Sequence, residues 1–312
     1  MRGIGGGLGL GLAAVGRPAY LNAGRAHDLG EDRSVEALRR RTAEVLDAAY
    51  AGGIRYVDTA RSYGRAEEFL AAWLASRPDV TDVTVASKWG YTYVGGWRLD
   101  SPVHEVKDHS LDAFTRQLAE TRALLGDVLA VYQIHSVTPE SPALDDPRLL
   151  AELARLRDEG VRVGLSTSGP AQAESVRRAL EVTPDGARLF TVVQSTWNLL
   201  EPSVGPALAE AADAGVDVVV KESLANGRLA PGSGSSAAER VATDLGVPLD
   251  ELAIAVALAQ PWAPRVLTGA VTPGQIERNL RAAARGLPAD VGGDLAEPPA
   301  EYWATRSRRP WN

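Results

Sequence analysis

The chain has no cysteine, which removes disulfides, thiolate nucleophiles and cysteine-based metal sites and agrees with a reducing cytoplasm. It has no block of one charge. Its 33 Lys and Arg are interleaved with 40 Asp and Glu for a net charge of −7, so the basic footprint of a nucleic-acid binder is missing and no such partner is expected. Glycine or charge interrupts every apolar stretch before about 18 residues, so no membrane span is expected. The glycine-rich stretch 1–16 lacks the cationic segment, long leucine-rich run and cleavage site of a secretion signal; it reads as a strand with glycine turns, and the expected location is the cytosol. Metal chemistry is poorly provided for as well. His104 and His109 lie in the charged stretch His-Glu-Val-Lys-Asp-His and read as solvated loop residues rather than ligands, so no metal site is expected.

What is present is an ordinary folded composition. Hydrophobic residues are 45% and charged residues 23% of the 312, enough to bury a large core. Short β-branched or apolar runs at 8–14, 54–58, 83–87, 129–135, 161–166, 189–194, 216–221 and 265–269 read as strands. Between them, stretches near 35–51, 65–76, 110–125, 147–159, 170–181, 202–214, 235–245 with 249–260, and 273–285 carry apolar residues at helical spacing. Eight strands each followed by a helix predict a (β/α)8 barrel of one domain over 1–312 rather than an open sheet. Gly53, Gly160 and Gly215 each precede a strand, as glycines that end helices do. The segments 15–34, 89–109 and 222–234, with the tail 286–312, are too long for simple connections. Three of them follow strands and so belong to the C-terminal face, where barrel active sites lie.

Four polar residues fall at that face: Asp58, Lys88 and His135 close predicted strands, and Tyr63 lies in the loop after Asp58. A tyrosine is a weak acid, with an ordinary pKa of about 10, and a nearby ammonium such as Lys88 lowers it. Asp58 holds the lysine in place, and His135 can hydrogen-bond a carbonyl oxygen and turn it toward the phenol. The set is a proton donor with tuning groups that lacks only a hydride source.

The strings Tyr56-Val-Asp-Thr-Ala-Arg-Ser-Tyr-Gly64, Ala86-Ser-Lys-Trp89, Val131-Tyr-Gln-Ile-His135 and Gly164-Leu-Ser-Thr-Ser168 resemble the ordered landmarks of the aldo-keto reductase superfamily, over nearly the whole chain. The resemblance implies that Asp58, Tyr63, Lys88 and His135 form a catalytic tetrad, with Tyr63 as general acid in reduction and general base in oxidation. It also implies an NAD or NADP cofactor across the barrel mouth and a small carbonyl or alcohol substrate. Ser166 and Gln194 match positions that hold the carboxamide, and Trp197 one whose ring stacks on nicotinamide. Lys221-Glu-Ser-Leu-Ala-Asn-Gly-Arg-Leu229 resembles the loop over the pyrophosphate, with Ser223, Leu224 and Gly227 at matching places. Gly269-Ala-Val-Thr-Pro-Gly-Gln-Ile-Glu-Arg-Asn279 resembles the adenosine-phosphate segment, with Gln275 and Asn279 on the adenine side.

Two departures carry information. Thr167 stands where an asparagine usually follows the carboxamide serine. Val271 stands where relatives often place an arginine for the 2′-phosphate of NADP, and Gly269 does not supply the lysine seen in others; Arg278 and Arg228 are the substitutes within reach. The incomplete clamp predicts that NAD(H) is used at least comparably to NADP(H). Tyr20, Trp89, Tyr91, Tyr93 and Trp97 fall on the expected substrate loops and read as its aromatic walls. By family analogy the substrate is a small aldose, a pyridoxal-like compound or another polar carbonyl. A cofactor-binding regulatory or sensor protein on the same barrel, with slow or no turnover, is the alternative; nicotinamide absorbance separates the two.

Overall fold

The structure, a computed structural model, describes residues 7–22 and 26–311; the strand-and-turn reading of residues 1–6 lies outside them. Eight parallel strands close into a barrel: β1 (Gly7–Gly11), β2 (Tyr56–Asp58), β3 (Thr84–Trp89), β6 (Leu129–Val137), β7 (Arg162–Thr167), β8 (Val192–Thr196), β9 (Asp217–Lys221) and β10 (Arg265–Thr268). Between β3 and β6 a two-stranded antiparallel hairpin, β4 (Tyr91–Tyr93) with β5 (Glu105–Lys107), stands at the mouth. The helices are α1 (Val35–Ala51), α2 (Ala66–Ala75), α3 (Leu111–Leu125), α4 (Pro147–Asp158), α5 (Gln172–Glu181), α6 (Gly205–Asp213), α7 (Ser236–Asp244), α8 (Leu249–Ala259), α9 (Pro273–Ala283) and α10 (Pro299–Ser307). The expected (β/α)8 barrel is present, with each expected strand and helix in place. The hairpin and α10 are additions, inside segments expected to be irregular.

The local causes are ordinary. Helix α1 begins where the Ser34 hydroxyl accepts from the Ala37 amide at 3.2 Å, one of the four donors a helix start leaves unpaired. It buries Leu38, Thr42, Val45, Leu46 and Ala49, the stripe that a 3.6-residue period turns toward the barrel. Each leucine so buried contributes about 1.5–3 kcal/mol. The helix ends at Ala51 with Gly52 as its cap, and Gly53 follows with a φ of +86° that is open to glycine and strained for other residues.

Strand alternation decides what fills the barrel. Tyr56, Ala86, Val131, Val192, Val219 and Leu267 form a compact inner cluster. Two residues further along four of these strands come Asp58, Lys88, Gln194 and Lys221, and His135 stands four beyond Val131. The period of two therefore puts an apolar plug below and a polar ring above it on the same inward face. Residues of the opposite parity pack outward, against the helices.

Candidate active site

The polar ring opens into a cavity of about 430 Å³, within the size range of small-molecule sites. It is lined at one end by Asp58, Tyr63 and His135, and its other end by Gln275, Arg278 and Asn279 of α9. Lys88 lies completely buried beneath the first end. Its Nζ donates to Asp58 Oδ2 at 2.5 Å and to the Thr59 carbonyl at 2.9 Å, and Gln194 Nε2 donates to Asp58 Oδ1 at 2.8 Å. Tyr63 OH and His135 Nε2 stand 3.5 Å apart, with the lysine Nζ 4.9 Å from the centre of the phenol ring. The fold thus brings together Asp58, Tyr63, Lys88 and His135, which are up to 77 positions apart in sequence (135 − 58).

The electrostatics differ in one respect from the expectation. Burial, then the Asp58 carboxylate and Tyr20, push the Tyr63 phenol well above its ordinary value of 10, so the lowering expected from Lys88 is not what prevails. Burial outweighs it, and the Asp58 carboxylate that clasps the ammonium offsets its pull on the ring. Burial also lowers Lys88, opposed by Asp58. His135 is driven well below 6.5 by burial, with Lys88, Lys221 and Arg17 adding to it, so its imidazole is neutral at physiological pH. It can donate one hydrogen bond to a substrate oxygen without carrying charge.

The remaining expected residues divide. Gln194, Ser223, Leu224, Gly227, Gly269, Val271, Gln275 and Asn279 line the cavity, as do Tyr20 and Tyr91. Ser166 sits in register with Gln194, and its hydroxyl accepts the Ser136 amide at 2.8 Å. Trp197 does not face the mouth. It follows β8 with the outward parity, and its ring packs edge-on against Trp262 at 5.7 Å, on a separate cavity lined by Gly205, Pro206 and Val256. Thr167 also points outward, its hydroxyl 2.7 Å from that of Ser195.

Trp89, Tyr93 and Trp97 are likewise absent from the cavity wall. Trp89 belongs to β3, is fully buried, and packs on Phe114 with ring centres 5.1 Å apart. Trp97 donates from its indole to the Arg33 carbonyl at 2.9 Å, and the Tyr93 hydroxyl accepts the Trp97 amide at 3.1 Å, so both hold the hairpin loop together. His104 and His109, expected in solvent, are only 6% exposed. His104 stacks on Trp311 at 4.6 Å, and His109 Nε2 donates to the His135 carbonyl at 2.8 Å, which fixes the backbone of the catalytic-face histidine.

Charged groups stand beside Tyr20 and Tyr91 where Trp89, Tyr93 and Trp97 were expected. Arg17, Glu105, Lys221, Glu222 and Arg306 line the end that holds Tyr63, with Trp311. The Lys221 amine is brought down to about 8 by burial, against the pull of Glu222. For Glu222, burial acts upward but the Arg306 and Lys221 cations overcome it and hold the carboxyl at about 2. Lys221 and Glu222 were visible in sequence only as part of the loop string; Arg17, Glu105, Arg306 and Trp311 had no periodic signal. Ser136, next to last in β6, and Glu222, just past β9, hold left-handed backbone with φ of +56° and +58°, strain of the kind that gathers at binding sites.

The far end tests whether a dinucleotide suits these residues. No carbonyl among the described residues accepts the amides of Ser223 and Leu224, and left-handed Ala225, Asn226 and Gly227 follow them, a turn that presents amides to an anion. The Asn226 Oδ1 atom is buried without a partner. At the start of α9 the Val271 amide donates to Gln275 Oε1 at 2.7 Å and Gln275 Nε2 donates to Asp28 Oδ2 at 2.9 Å. Arg278 is held by Asp250 at 3.3 Å and Arg228 by Glu297. The donor set fits a pyrophosphate and an adenosine. Among the described residues no cluster of three or more acidic or histidine side chains suits a metal ion, and no helix is long and apolar enough to cross a membrane.

Comparison with known proteins agrees with this geometry. The sequence profile of the aldo/keto reductase family matches residues 29–297. An aldo-keto reductase of Strobilurus tenacellus is 29% identical over 187 residues, which are 60% of this chain and 51% of that protein, so the match spans about half the relative's length. A protein of Pseudomonas sp named D-threo-aldose 1-dehydrogenase is 27% identical, covering 81% of this chain and 86% of its own. The solved holo form of an aldo-keto reductase from Bacillus halodurans shares the fold, with a TM-score of 0.68 at 23% identity over 93% of this chain and 92% of that one. With an eightfold barrel and a matching profile over most of its length, the chain belongs to the aldo/keto reductase family of oxidoreductases.

Proposed function

We propose that this chain is a nicotinamide-dependent oxidoreductase of small, polar carbonyl compounds, with NAD(H) used at least as well as NADP(H), and that Tyr63 is its acid and base. The observation that carries the reading is the Tyr63 hydroxyl, 3.5 Å from a neutral His135 Nε2, both opening on a cavity above a buried Lys88–Asp58 pair.

A carbonyl oxygen seated between Tyr63 and His135 accepts a hydrogen bond from each. In reduction the phenol, kept protonated by its surroundings, delivers its proton to that oxygen; in oxidation the Tyr63 phenolate oxygen takes the proton from the substrate hydroxyl. His135 orients the carbonyl and stabilises the charge that gathers on it. The Lys88–Asp58 pair, with Gln194 on its far side, fixes the floor on which Tyr63 rests. A nicotinamide bound there would supply or accept the hydride. Ser223, Leu224 and Gly227 suit its pyrophosphate, Gly269, Val271, Gln275 and Asn279 its adenosine end, and Ser166 and Gln194 the neighbourhood of its carboxamide.

The charged lining favours a substrate rich in hydroxyl groups. Glu105 and Glu222 accept, Arg17, Lys221 and Arg306 donate, and Tyr20 and Tyr91 do both, which suits an aldose and does not suit an apolar aldehyde. The name of the Pseudomonas relative points the same way. The test is nicotinamide absorbance during incubation of a panel of aldoses with the oxidised and the reduced forms of NAD and NADP, against a panel of apolar alcohols with the oxidised forms and apolar aldehydes with the reduced forms. Turnover of aldoses is expected; absence of turnover with every member refutes the oxidoreductase reading, and preference for apolar substrates refutes the substrate class.

A further inference from the structure

The loop after β1 carries a buried cation that the tetrad does not account for. Arg17 is 2% exposed, and its guanidinium is walled by three aromatic rings: Tyr63 at 5.1 Å, Tyr20 at 5.5 Å and Trp311 at 4.6 Å from its central carbon. Nη1 donates to the Ser62 carbonyl at 3.0 Å and to Glu105 Oε1 at 2.6 Å, while Nε is buried without a hydrogen-bond partner. A charge so withdrawn from water is expensive unless something uses it.

Its position is dictated by the backbone. The Gly16 carbonyl accepts the Arg65 amide at 2.8 Å, and a Cβ on Gly64 would stand 2.5 Å from the Gly16 oxygen and 2.8 Å from Arg17 Cβ, while one on Gly16 would overlap Tyr63 and Ala66. Gly64 also has a φ of +62°. Two glycines therefore let the loop that carries Arg17 cross directly on the loop that carries Tyr63. The crossing brings the guanidinium against the ring whose hydroxyl faces His135.

We propose that Arg17 is a positioning residue for Tyr63: its guanidinium, anchored by Glu105, fastens the Ser62–Tyr63 backbone and sets its charge against the phenol ring so that the ionised phenol is favoured. A cation at a ring is attracted more strongly as the ring gains negative charge, so the effect grows as the proton leaves. The groups facing the phenol divide by sign. Burial raises it most, then Asp58, Tyr20 and Glu105, and Arg17 lowers it; Lys88, 4.9 Å from the ring centre, is offset by the Asp58 carboxylate it pairs with, and His135 is uncharged. Lys221, Glu222 and Arg306 form their own cluster on β9 and α10. Arg17 is thus a cation of the site whose field reaches Tyr63, and Glu105 moderates it.

The proposal rests on the reading of Tyr63 as the acid, but its test does not require turnover. Difluorotyrosine, a stronger acid than tyrosine, is placed at position 63 of the full chain, and its ionisation is followed by fluorine NMR against pH. The midpoint is compared with that in the Arg17→Met, Arg17→Lys and Glu105→Gln variants. Loss of the cation in Arg17→Met is expected to raise the midpoint by about one pH unit, a tenfold weaker acid. Glu105→Gln is expected to lower it by a smaller amount, and Arg17→Lys to recover at least half of the Arg17→Met shift. Opposite signs from two partners of one ion pair are what an electrostatic role requires; a purely structural clamp would move both variants alike or neither, and either result overturns the proposal. If Arg17→Met does not fold, the sign of the Glu105→Gln shift decides. Failure of the Tyr63 reading itself shows separately, as unimpaired turnover in Tyr63→Phe.

Discussion

Replacing Asp28 by alanine should move cofactor choice toward NADP(H). The Asp28 side chain is 14% exposed, lines the cavity and receives Gln275 Nε2 at 2.9 Å. The donors at the start of α9 are already in use: the Val271 amide goes to Gln275 and the Gln275 amide to Thr272, while Arg278 and Arg228 are held by Asp250 and Glu297. A 2′-phosphate bearing about two negative charges would meet a carboxylate and no uncommitted guanidinium among these. At roughly 7 Å and a dielectric near that of water, two charges against one cost about 1 kcal/mol, and several times that at an effective dielectric of about 20. The Asp28→Ala variant should therefore improve kcat/KM for NADPH relative to NADH by about tenfold. Adding Val271→Arg supplies a charge-assisted hydrogen bond worth about 1.5–3 kcal/mol and should shift the ratio at least tenfold further. Without the alanine, the new arginine pairs with Asp28 and the gain should be smaller. The assay is the ratio of kcat/KM for the two reduced cofactors in the four proteins, with dissociation constants measured alongside. A wild type that already prefers NADP(H) by a hundredfold, or an Asp28→Ala variant with an unchanged ratio, would refute this reasoning.

Two further expectations concern pH. Glu222 is held near 2 in the folded chain against an ordinary 4.5, so the stability it contributes is full above pH 4.5 and is lost as pH falls toward 2. A difference of that size is worth about 3 kcal/mol, and denaturant titrations of Arg306→Met should show a loss of that order at pH 7 that shrinks toward nothing near pH 2; an equal deficit at both pH values contradicts the pair's role. Because His135 is neutral through the physiological range, the pH profile of kcat/KM should show no histidine limb between about pH 5 and 8; a limb that disappears in His135→Gln would show that the imidazole titrates there.

The barrel is legible in the sequence because two periodicities report independently on it: the alternation of the strands and the helical stripes that cover them. Asp58, Lys88 and His135 are legible for the same reason, since polar residues at the ends of apolar strands have only the mouth to face, and Tyr63 is legible as a residue of the loop that follows Asp58. The errors at Trp197 and Trp89 fall on positions that alternation itself assigns outward: Gln194 and Lys88 point in, so the residues three and one further along point toward the helices. Thr167 follows the same parity. What no period could reveal is the contribution of loops and tail. Arg17 meets Glu105 across 88 positions and Arg306 meets Glu222 across 84, pairings set by tertiary packing alone. The hairpin strands are three residues each with Val106 in solvent, too short to show alternation. Helix α10 starts at the second of two adjacent prolines in the tail, where proline reads first as an interruption.

The central claim, that Tyr63 passes the proton, is tested most directly by turnover of Tyr63→Phe. The change removes one hydroxyl from a ring that is otherwise held by Arg17 and His135 contacts, so fold and cofactor affinity should be retained. With a substrate whose chemical step limits the rate, kcat should fall by roughly two to four powers of ten, the usual worth of a positioned acid. Near-normal turnover in a folded, cofactor-binding Tyr63→Phe protein would contradict the account.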